Sequence, residues 1–513
     1  MADDGPKREP LDERTRQAVE FLEELHGDYS RLAELDDELR KRLLIAAGRV
    51  ARPGPWAKRE LMREARRRRK RDKQAADERA LARTGIRATR RQAVFPTPMP
   101  ALPAPLSEDE RRGSEVERVI EPRNCYVCKK DFHQLHHFYD QMCPECAELN
   151  WHKRHQSADV RGRVALVTGS RVKIGYQAAI MLLRAGAEVI VTTRFPADAA
   201  ARYAREADFD DWGERLSIYG LDLRHTPSVE TLCRYLADHL DRLDFIINNA
   251  CQTVRRPSGF YDHLMAGEKA DAASRSERER ALLSGYQDMR AQQREALTTS
   301  RTSAVEAAAA AGITDSAALA QLALLAEDLD RDQSLFPTGQ LDADLQQVDL
   351  RGRNSWRLAL DEVSAVELLE VQLVNAVAPF ILNARLKQVM LRQPSRDKHI
   401  VNVSAMEGQF YRRFKTDKHP HTNMAKAALN MMTRTSAADY IKDGIHMNSV
   451  DTGWVTDEDP MEIAKRKTEV HRFHPPLDIV DGAARIVDPI FEGVNTGNHQ
   501  WGLFLKDYKP TEW

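Results

Sequence analysis

Five short strand-like runs are spaced along the C-terminal two thirds of the chain, at residues 164–168, 188–192, 245–247, 399–403 and 446–450. Stretches with apolar residues at helical spacing separate them. Short runs of this kind are typical of strands buried on both faces of a parallel sheet, with helices as the crossovers. The pattern therefore predicts an α/β fold with a doubly wound parallel sheet.

A different pattern occupies the N-terminal region. Between residues 11 and 45 apolar side chains recur at helical spacing, which predicts one or two amphipathic helices that need a partner surface. Further on, residues 66–71 are all basic. Such a run is more often a solvated helix face than a binding site, and no aromatic residues are interleaved to stack on bases. Nucleic-acid binding is not favoured, and we expect a protein partner for these helices.

Changes in composition divide the chain into four predicted parts. Residues 1–95 form a charged helical region with an Arg-rich segment, residues 96–120 a proline-rich linker, and residues 121–157 a small cysteine-rich module. Residues 158–513 form the α/β domain, in which residues 254–362 are a helical insertion. A chain of 513 residues with 42% hydrophobic content is long enough for two or three domains with real cores.

The expected cellular compartment is inferred from sequence features that are missing. No apolar run reaches the roughly 18 residues that a membrane span needs, and residues 1–11 carry no apolar signal core. Six cysteines are too few for a disulfide scaffold in a chain of this size. We therefore expect a cytoplasmic protein with no membrane partner.

Four of the cysteines fall into two close pairs, which define the cysteine-rich module. They form a CxxC motif, a gap of fourteen residues and a second CxxC motif, comprising Cys125, Cys128, Cys143 and Cys146. Two such knuckles can close a tetrahedral thiolate site for Zn²⁺, and four thiolates leave no position for water. We predict a structural zinc site. Histidines within the gap leave open a variant with one histidine ligand or a second ion, namely His133, His136 and His137.

A glycine-containing turn follows the first strand of the α/β domain. Residues 168–175 read Thr-Gly-Ser-Arg-Val-Lys-Ile-Gly and lead into an apolar helix. Glycine lets such a turn approach a pyrophosphate closely, and the helix N-terminus supplies amides and a positive dipole end. By itself this turn is a weak signal, because an ordinary strand-to-helix turn can have the same composition.

An ordered series of further motifs strengthens the interpretation. It comprises Asp222 and Leu223 between the runs at residues 188–192 and 245–247, Asn248, Asn249 and Ala250 after the run at residues 245–247, Asn375 beyond the insertion, Lys426, and Thr452, Gly453, Trp454 and Val455 after the run at residues 446–450. In this order the motifs resemble the short-chain dehydrogenase/reductase family over about two thirds of the chain. The resemblance implies a Rossmann-type fold.

The resemblance also implies roles for individual residues. The phosphate turn, residues 168–175, would use Gly169, Arg171, Ile174 and Gly175. Asp222 and Leu223 would meet the adenine, Asn249 and Ala250 the adenosine ribose, Lys426 the nicotinamide ribose, and Gly453 and Val455 the carboxamide side.

The end of the second strand bears on the choice of cofactor. It reads Thr192, Thr193, Arg194 and lacks the acid that hydrogen-bonds the ribose 2′-hydroxyl in NAD enzymes. NADP(H) is therefore favoured over NAD(H), with Arg194 as the ligand of the 2′-phosphate. The alternative is that Arg194 is a solvated surface arginine.

Two catalytic positions of the family are altered here. Thr422 occupies the place of the general acid/base tyrosine four residues before Lys426, and Ala405 that of the serine that polarises the substrate carbonyl. An aliphatic hydroxyl is a much poorer acid than a phenol, whose pKa is about 10. Lys426 and Asn375 remain as catalytic candidates, with Thr422 and Ser404 as the nearest hydroxyls to the missing groups.

Three hypotheses remain open. The leading one is an NADP(H)-dependent oxidoreductase acting on an unidentified carbonyl or alcohol, with displaced proton donors such as His421, His419 or Tyr411. The second is a catalytically silent NADP(H)-binding scaffold or sensor that recruits partners through the zinc module and the insertion. In the third, the cofactor site is degenerate because Lys173 replaces a family glycine and either blocks the turn or adds a phosphate contact. A homo-oligomer is compatible with all three.

Overall fold

A computed structural model describes residues 11–99, 117–299, 315–330, 332–411 and 415–513. The chain divides into two compact units, Met1–Glu78 and Arg79–Trp513. Most of the predicted proline-rich linker, residues 100–116, lies outside the described residues, as does the alanine-rich run at residues 307–311.

The first unit is helical. Its helices are α1 (Leu11–Gly27), α2 (Ser30–Glu34), α3 (Asp37–Ala51) and α4 (Pro55–Ala82), the last of which continues past the unit boundary. The Asp36 side chain accepts hydrogen bonds from the amides of Glu38 and Leu39, which caps α3. The sequence predicted one or two helices before residue 45, and the structure has three because the chain breaks at Asp28 and at Asp36. The basic run at residues 66–71 is exposed on α4.

The second unit contains a two-stranded antiparallel sheet and an eight-stranded sheet of order β10-β9-β8-β7-β6-β3-β4-β5. All strand pairs of the larger sheet are parallel except β9 with β10. The strands are β1 (Arg118–Asn124), β2 (Asp131–Gln134), β3 (Val164–Thr168), β4 (Glu188–Thr193), β5 (Leu216–Gly220), β6 (Phe245–Asn248), β7 (Lys398–Ser404), β8 (Ile445–Asp451), β9 (Phe504–Lys506) and β10 (Lys509–Thr511).

Helices cover both faces of the larger sheet. The helices of this unit are α5 (Gly85–Arg90), α6 (Pro144–Arg154), α7 (Lys173–Arg184), α8 (Pro196–Tyr203), α9 (Phe209–Trp212), α10 (Thr226–His239), α11 (Asp262–Lys269), α12 (Glu277–Leu282), α13 (Ser284–Thr299), α14 (Ser316–Leu319), α15 (Ala365–Gln372), α16 (Ala378–Met390), α17 (Pro420–Tyr440), α18 (Met461–His471) and α19 (Ile479–Thr496). One apolar core contains Leu182 of α7 and Ile486 of α19, and another contains Leu232 of α10 and Leu382 of α16. The prediction of a doubly wound parallel sheet is confirmed.

A single long helical segment runs from Ala365 to Met390, with a π-helical turn at Leu373–Val377 between α15 and α16. By length and composition alone it is apolar enough to cross a membrane, which the sequence analysis did not anticipate. Leu382 and Leu386 of this segment are buried in the core of the second unit. Burial of this kind is what a core helix of a globular domain shows, so the segment is weak support for a membrane span.

The described part of the insertion is only partly helical. It contains α11 to α14 and short 3₁₀ turns, but beyond residue 315 its described part is mostly irregular. Its own small core includes Phe260, Leu264 and Phe336. Arg255 ties it to the long helix, since its guanidinium binds Asp328 within the insertion and Glu370 of α15.

The cysteine-rich module shares its core with the larger domain. Phe138 and Tyr139 pack in one cluster with Ile479 and Val480 of α19. Arg154, at the end of α6, donates hydrogen bonds to buried carboxylates at the start of α19. Buried charges are retained only when paired, so these contacts fix the module against the sheet domain.

Candidate functional site

A cleft of about 1250 Å³ opens at the carboxyl ends of the parallel strands. The sheet order places β3 beside β6, where the winding reverses, and ligands of open α/β sheets bind at this switch point. Residues following β3, β4, β6, β7 and β8 line the cleft, and residues of the insertion form its outer wall. The volume exceeds the usual range of about 300–1,000 Å³ for small-molecule pockets, which leaves room for a dinucleotide together with a substrate.

The phosphate turn has the close approach that a pyrophosphate needs. Gly169 has φ +68°, and a Cβ there would lie 2.7 Å from the Cα of Ala250. A Cβ on Gly175 would lie 2.2 Å from the Asn249 amide nitrogen. Any side chain at either position would force backbone or buried atoms to move, so both glycines are required by the packing.

Asn249 and Ala250 hold this turn in place. The Asn249 side-chain amide donates hydrogen bonds to the carbonyls of Thr168 and Gly169 at 3.0 and 3.1 Å. The Ala250 amide donates to the Thr168 hydroxyl at 3.0 Å. The motif after β6 therefore supports the phosphate turn directly, and both residues also line the cleft.

Lys173 replaces a glycine of the family's phosphate turn, at a position where the backbone conformation favours glycine. It has φ +58°, in the left-handed region that favours glycine. Its charge acts on the carboxyl groups of Asp344 and Glu458, and it lines the cleft with Ile174. The backbone thus keeps the glycine-like conformation despite the side chain.

The two candidate phosphate-binding arginines differ in their partners. Arg171 donates to the Asp198 carboxylate at 2.7 Å and is therefore neutralised. Arg194, at the end of β4, is half-buried and donates to the Tyr261 hydroxyl at 2.7 Å. Among the described residues no carboxylate forms an ion pair with Arg194, so its positive charge faces the cleft with a neutral partner.

Asp222 is buried and forms an ion pair with Arg224. Burial by itself raises the pKa of its carboxyl group, yet the charges of Arg224 and, to a lesser degree, Arg194 together with hydrogen bonds from Arg224 more than offset this, and the pKa is lowered. Arg224 also donates to Glu370 at 2.9 Å. Asp222 and Leu223 both line the cleft on the side of β4 and β5.

At the other end of the cleft, Lys426 lies beside the end of β7. Its ammonium donates to the Val403 carbonyl at 2.8 Å. The neighbouring Ser404 lines the cleft, and its buried hydroxyl has no hydrogen-bond partner among the described residues. Lys426 and Ser404 are therefore brought together.

Thr422 and Asn375 are placed differently. Thr422 is buried in α17, is not among the described residues that line the cleft, and its hydroxyl has no partner in the described part of the chain. Asn375, in the π-helical turn, accepts a hydrogen bond from the Gln252 amide at 2.8 Å and donates to the Gln252 carbonyl at 3.1 Å. Its side chain thus holds the segment after β6.

The three proposed substitute proton donors are also separated by the structure. His419 lines the cleft, stacked on Trp356 with ring centroids 3.8 Å apart. His421 is buried with its Nε2 3.4 Å from a Glu367 carboxylate oxygen. Tyr411 is 90% exposed and lies outside the described lining of the cleft. Burial lowers the pKa of His419, although the charge of Glu407 opposes this shift.

The four clustered cysteines meet as the spacing predicts. The sulfur atoms of Cys125, Cys128, Cys143 and Cys146 all lie within 4.8 Å of one another. A backbone hydrogen bond at Lys130 lowers the pKa of the Cys128 thiol to about 7. Burial raises the pKa of the Cys143 and Cys146 thiols, so the clustering of four sulfur ligands is what fits a tetrahedral ion such as Zn²⁺.

Sequence reasoning missed several residues that line the cleft, and two of them make defined contacts there. Tyr126 lies inside the first CxxC motif, and its hydroxyl accepts a hydrogen bond from the Trp454 amide at 3.0 Å. Tyr261 belongs to the insertion and lines the cleft next to Arg194. Both reach the cleft through tertiary packing, and no local pattern in the sequence marks them.

The fold and the cleft define a Rossmann-type α/β protein with its site at the switch point. Comparison with protein families gives a match to the short chain dehydrogenase model at residues 163–264, and to a model described as enoyl-(acyl carrier protein) reductase at residues 337–476. The chain is a divergent member of the short-chain dehydrogenase/reductase family, an oxidoreductase of that type.

Among individual relatives, an uncharacterized protein of Acanthamoeba polyphaga mimivirus is 29% identical over 406 residues, which cover 76% of this chain and 75% of that protein. A fatty acyl-CoA reductase of Acinetobacter baylyi is 32% identical over 98 residues, or 19% of this chain and only 32% of the relative. The solved complex of RhlG from Pseudomonas aeruginosa with NADP matches with a TM-score of 0.40 and 16% identity, over 68% of this chain and 95% of the other.

Proposed function

We propose that this protein is an NADP(H)-dependent oxidoreductase that interconverts a carbonyl and an alcohol. The observation that carries the proposal is Arg194, a half-buried guanidinium that lines the cleft at the end of β4 without a carboxylate partner among the described residues. A strand end that binds NAD usually carries an acid at this point, whereas an arginine accommodates a 2′-phosphate. When bound, the nicotinamide would supply or accept the hydride.

The lining of the cleft supports the remaining cofactor contacts that we propose. The cradle formed by Gly169 and Gly175 would receive the pyrophosphate at the start of α7. Leu223 and Ala250, which line the cleft, would lie on the adenosine side, and Val455 would lie at the opposite end. The Lys426 ammonium has three N–H donors, one of which donates a hydrogen bond to the Val403 carbonyl. The others could donate to a ribose hydroxyl.

For the proton, we propose His419 in place of Thr422. His419 lines the cleft, and its buried Nδ1 has no hydrogen-bond partner among the described residues. In carbonyl reduction its protonated imidazole would give a proton to the oxygen as the carbon receives the hydride, and in oxidation the neutral ring would take it back. The unpartnered Ser404 hydroxyl would donate a hydrogen bond to the same oxygen.

We also propose that the cysteine cluster binds one structural Zn²⁺. Four sulfur ligands are the donor set that this ion prefers, and they leave no open position for substrate. Free thiols of this kind need a reducing compartment, which favours the cytoplasm.

The test is calorimetric titration of the zinc-replete full-length protein with NADPH and, separately, with NADH. We expect NADPH to bind at micromolar concentration or tighter, and Arg194→Ala to weaken NADPH binding while leaving NADH binding nearly unchanged. Arg161→Ala is the matched control, because this arginine is exposed and, within the described residues, its ion-pair partner is Asp159, outside the cleft. Absence of binding to either dinucleotide would overturn the proposal. Binding would justify a screen of carbonyl substrates with His419→Gln as the comparison.

A further inference from the structure

The cysteine-rich module reaches the cleft through Tyr126 and Lys129. Tyr126 stands between Cys125 and Cys128 in the first knuckle, and its side chain lines the cleft. Its hydroxyl accepts a hydrogen bond from the backbone amide of Trp454 at 3.0 Å. This residue therefore connects the predicted metal site to the turn that follows β8, residues 452–455.

Two side chains pack against the turn at residues 452–455. Gly453 has φ +77°, and a Cβ there would lie 2.5 Å from Leu477 Cδ1 and 3.1 Å from the Tyr126 hydroxyl. The Leu477 amide donates to the Trp454 carbonyl at 3.3 Å. Tyr126 and Leu477 therefore both pack against the turn and both hydrogen-bond its backbone at Trp454.

The turn also has a defined position relative to the two ends of the cleft. Arg194 follows β4 and marks one end, whereas residues 452–455 follow β8 on the other side of the switch point. A dinucleotide that lies across a switch point places its two halves on opposite sides. If Arg194 holds the adenosine phosphate, residues 452–455 face the nicotinamide.

The geometry of the knuckle depends on the four cysteines. Besides their sulfur contacts, the Cys143 amide donates to the Cys125 sulfur at 3.3 Å, and the Cys125 amide donates to the Lys130 carbonyl at 2.9 Å. Tyr126 is bonded within the module as well, since its amide donates to the Gln141 carbonyl at 2.8 Å. A metal that closes the cluster would fix the backbone from which the Tyr126 side chain extends.

We propose that Tyr126 is a positioning residue through which the metal-bound knuckle holds residues 452–455 in the conformation that receives the nicotinamide end of the cofactor. This inference rests on the proposed NADP(H) function. It assigns the cysteine-rich module a task in cofactor binding beyond stabilising the fold. Loss of the Tyr126 hydroxyl or of the metal would weaken contacts at the nicotinamide end and leave the adenosine end intact.

The experiment compares two ligands on the full-length protein, NADPH and 2′,5′-ADP, the second of which lacks the nicotinamide half. In calorimetry, Tyr126→Phe should weaken NADPH binding about tenfold, as expected for about 1.4 kcal/mol of lost interaction, and change 2′,5′-ADP binding less than twofold. Removal of the metal by a chelator should give the same selective loss.

Tyr139→Phe is the matched control. It removes the same atom from the same module, where the Tyr139 hydroxyl donates to Asp481 away from the cleft. It should leave the ratio of the two affinities unchanged even if stability falls. If Tyr126→Phe leaves the ratio of the NADPH and 2′,5′-ADP affinities unchanged, the inference is overturned. The proposed function still stands in that case, provided that the wild-type protein binds NADPH. Wild-type protein that binds neither ligand would overturn both.

Discussion

The Arg194 guanidinium donates a hydrogen bond to the Tyr261 hydroxyl at 2.7 Å, which joins the end of β4 to the insertion. Tyr261 is buried, and its ring also faces the Arg194 guanidinium carbon at 4.6 Å. Burial by itself raises the pKa of the phenol, yet the surrounding guanidinium groups, Arg194 first among them, bring it below the usual value. The insertion thus orients the cation on which the proposed cofactor preference depends.

The first prediction concerns this pair. Tyr261→Phe keeps the ring under the guanidinium and removes only the hydrogen bond, so we expect NADPH affinity to fall about fivefold, as expected for the loss of about 1 kcal/mol. NADH affinity should not change, because the lost contact acts through the 2′-phosphate ligand. Calorimetry with both dinucleotides measures the difference. Equal weakening of both would show that Tyr261 supports the cleft in general and not Arg194 in particular.

The second prediction concerns the glycine cradle. Gly175→Ala places a methyl group 2.2 Å from the Asn249 amide nitrogen, so the turn must shift and dinucleotide affinity should fall by about 5- to 150-fold, the equivalent of a 1–3 kcal/mol overpacking cost. Gly267→Ala in α11 is the control, since its Cβ would meet nothing within 4 Å. The control should bind NADPH normally and gain up to about 1 kcal/mol in stability. Normal binding by Gly175→Ala would contradict the assigned cradle.

Lys173 allows the two alternatives for the phosphate turn to be separated. Its φ of +58° costs a non-glycine residue about 1–2 kcal/mol, so Lys173→Gly should raise the free energy of unfolding by about 1 kcal/mol. If the ammonium contacts the pyrophosphate, the same variant should weaken NADPH and NADH alike. We expect this outcome, measured by chemical denaturation and calorimetry. Tighter binding of both dinucleotides would show instead that the lysine blocks the turn.

Metal binding can be measured without a substrate. Elemental analysis of the full-length protein should give about one zinc per chain, as a closed four-thiolate site requires. Cys146→Ser should lose the metal and lower the unfolding temperature, because the module shares its core with α19. Cys251→Ser is the control, since Cys251 lies outside the four-sulfur cluster, and should keep the metal. A metal-free protein of unchanged stability would contradict a structural zinc site.

The last prediction concerns pH. Glu268 of α11 accepts hydrogen bonds from the amides of Ala197 and Asp198, and burial raises its pKa to about 7. A carboxyl group whose pKa is higher in the folded state than in the unfolded state binds more protons when folded. Its contribution to the free energy of unfolding therefore falls as the pH rises from about 4.5 through about 7.

Glu268→Gln does not titrate, so its unfolding free energy should fall less steeply than that of the wild type over this range. Denaturant titrations at pH 5, 6, 7 and 8 would measure the two slopes. Identical slopes would mean that the folded and unfolded states bind this proton equally.

Much of the fold was accessible from local sequence. The run at residues 164–168 coincides with β3, and the other four expected strands differ from the observed ones by one residue at one or both ends. Strands that are buried on both faces consist almost entirely of apolar residues. Their positions can therefore be predicted from the sequence without tertiary information. The irregular part of the insertion that the structure describes, beyond residue 319, was less predictable, because composition does not decide which tertiary contacts a segment makes.

Near the proposed proton donor, the four-residue spacing of the family motif did not identify the residue that lines the cleft. Counting four residues back from Lys426 leads to Thr422, which is buried in α17, whereas His419 is the residue exposed to the cleft. The choice depends on the left-handed φ of +43° at His419 and on its stacking against Trp356 of the insertion. Neither feature is encoded within the motif itself.

The sequence by itself determined the parallel sheet, the glycine cradle at Gly169 and Gly175, and the meeting of the four cysteines, because each depends on residues close together in the chain or on a fixed periodicity. Only the tertiary structure decided that Tyr261 orients Arg194 and that Tyr126 supports the turn after β8. These pairs are separated by 67 and 328 positions. Contacts over such distances arise from the packing of whole elements, which no local pattern of side chains specifies.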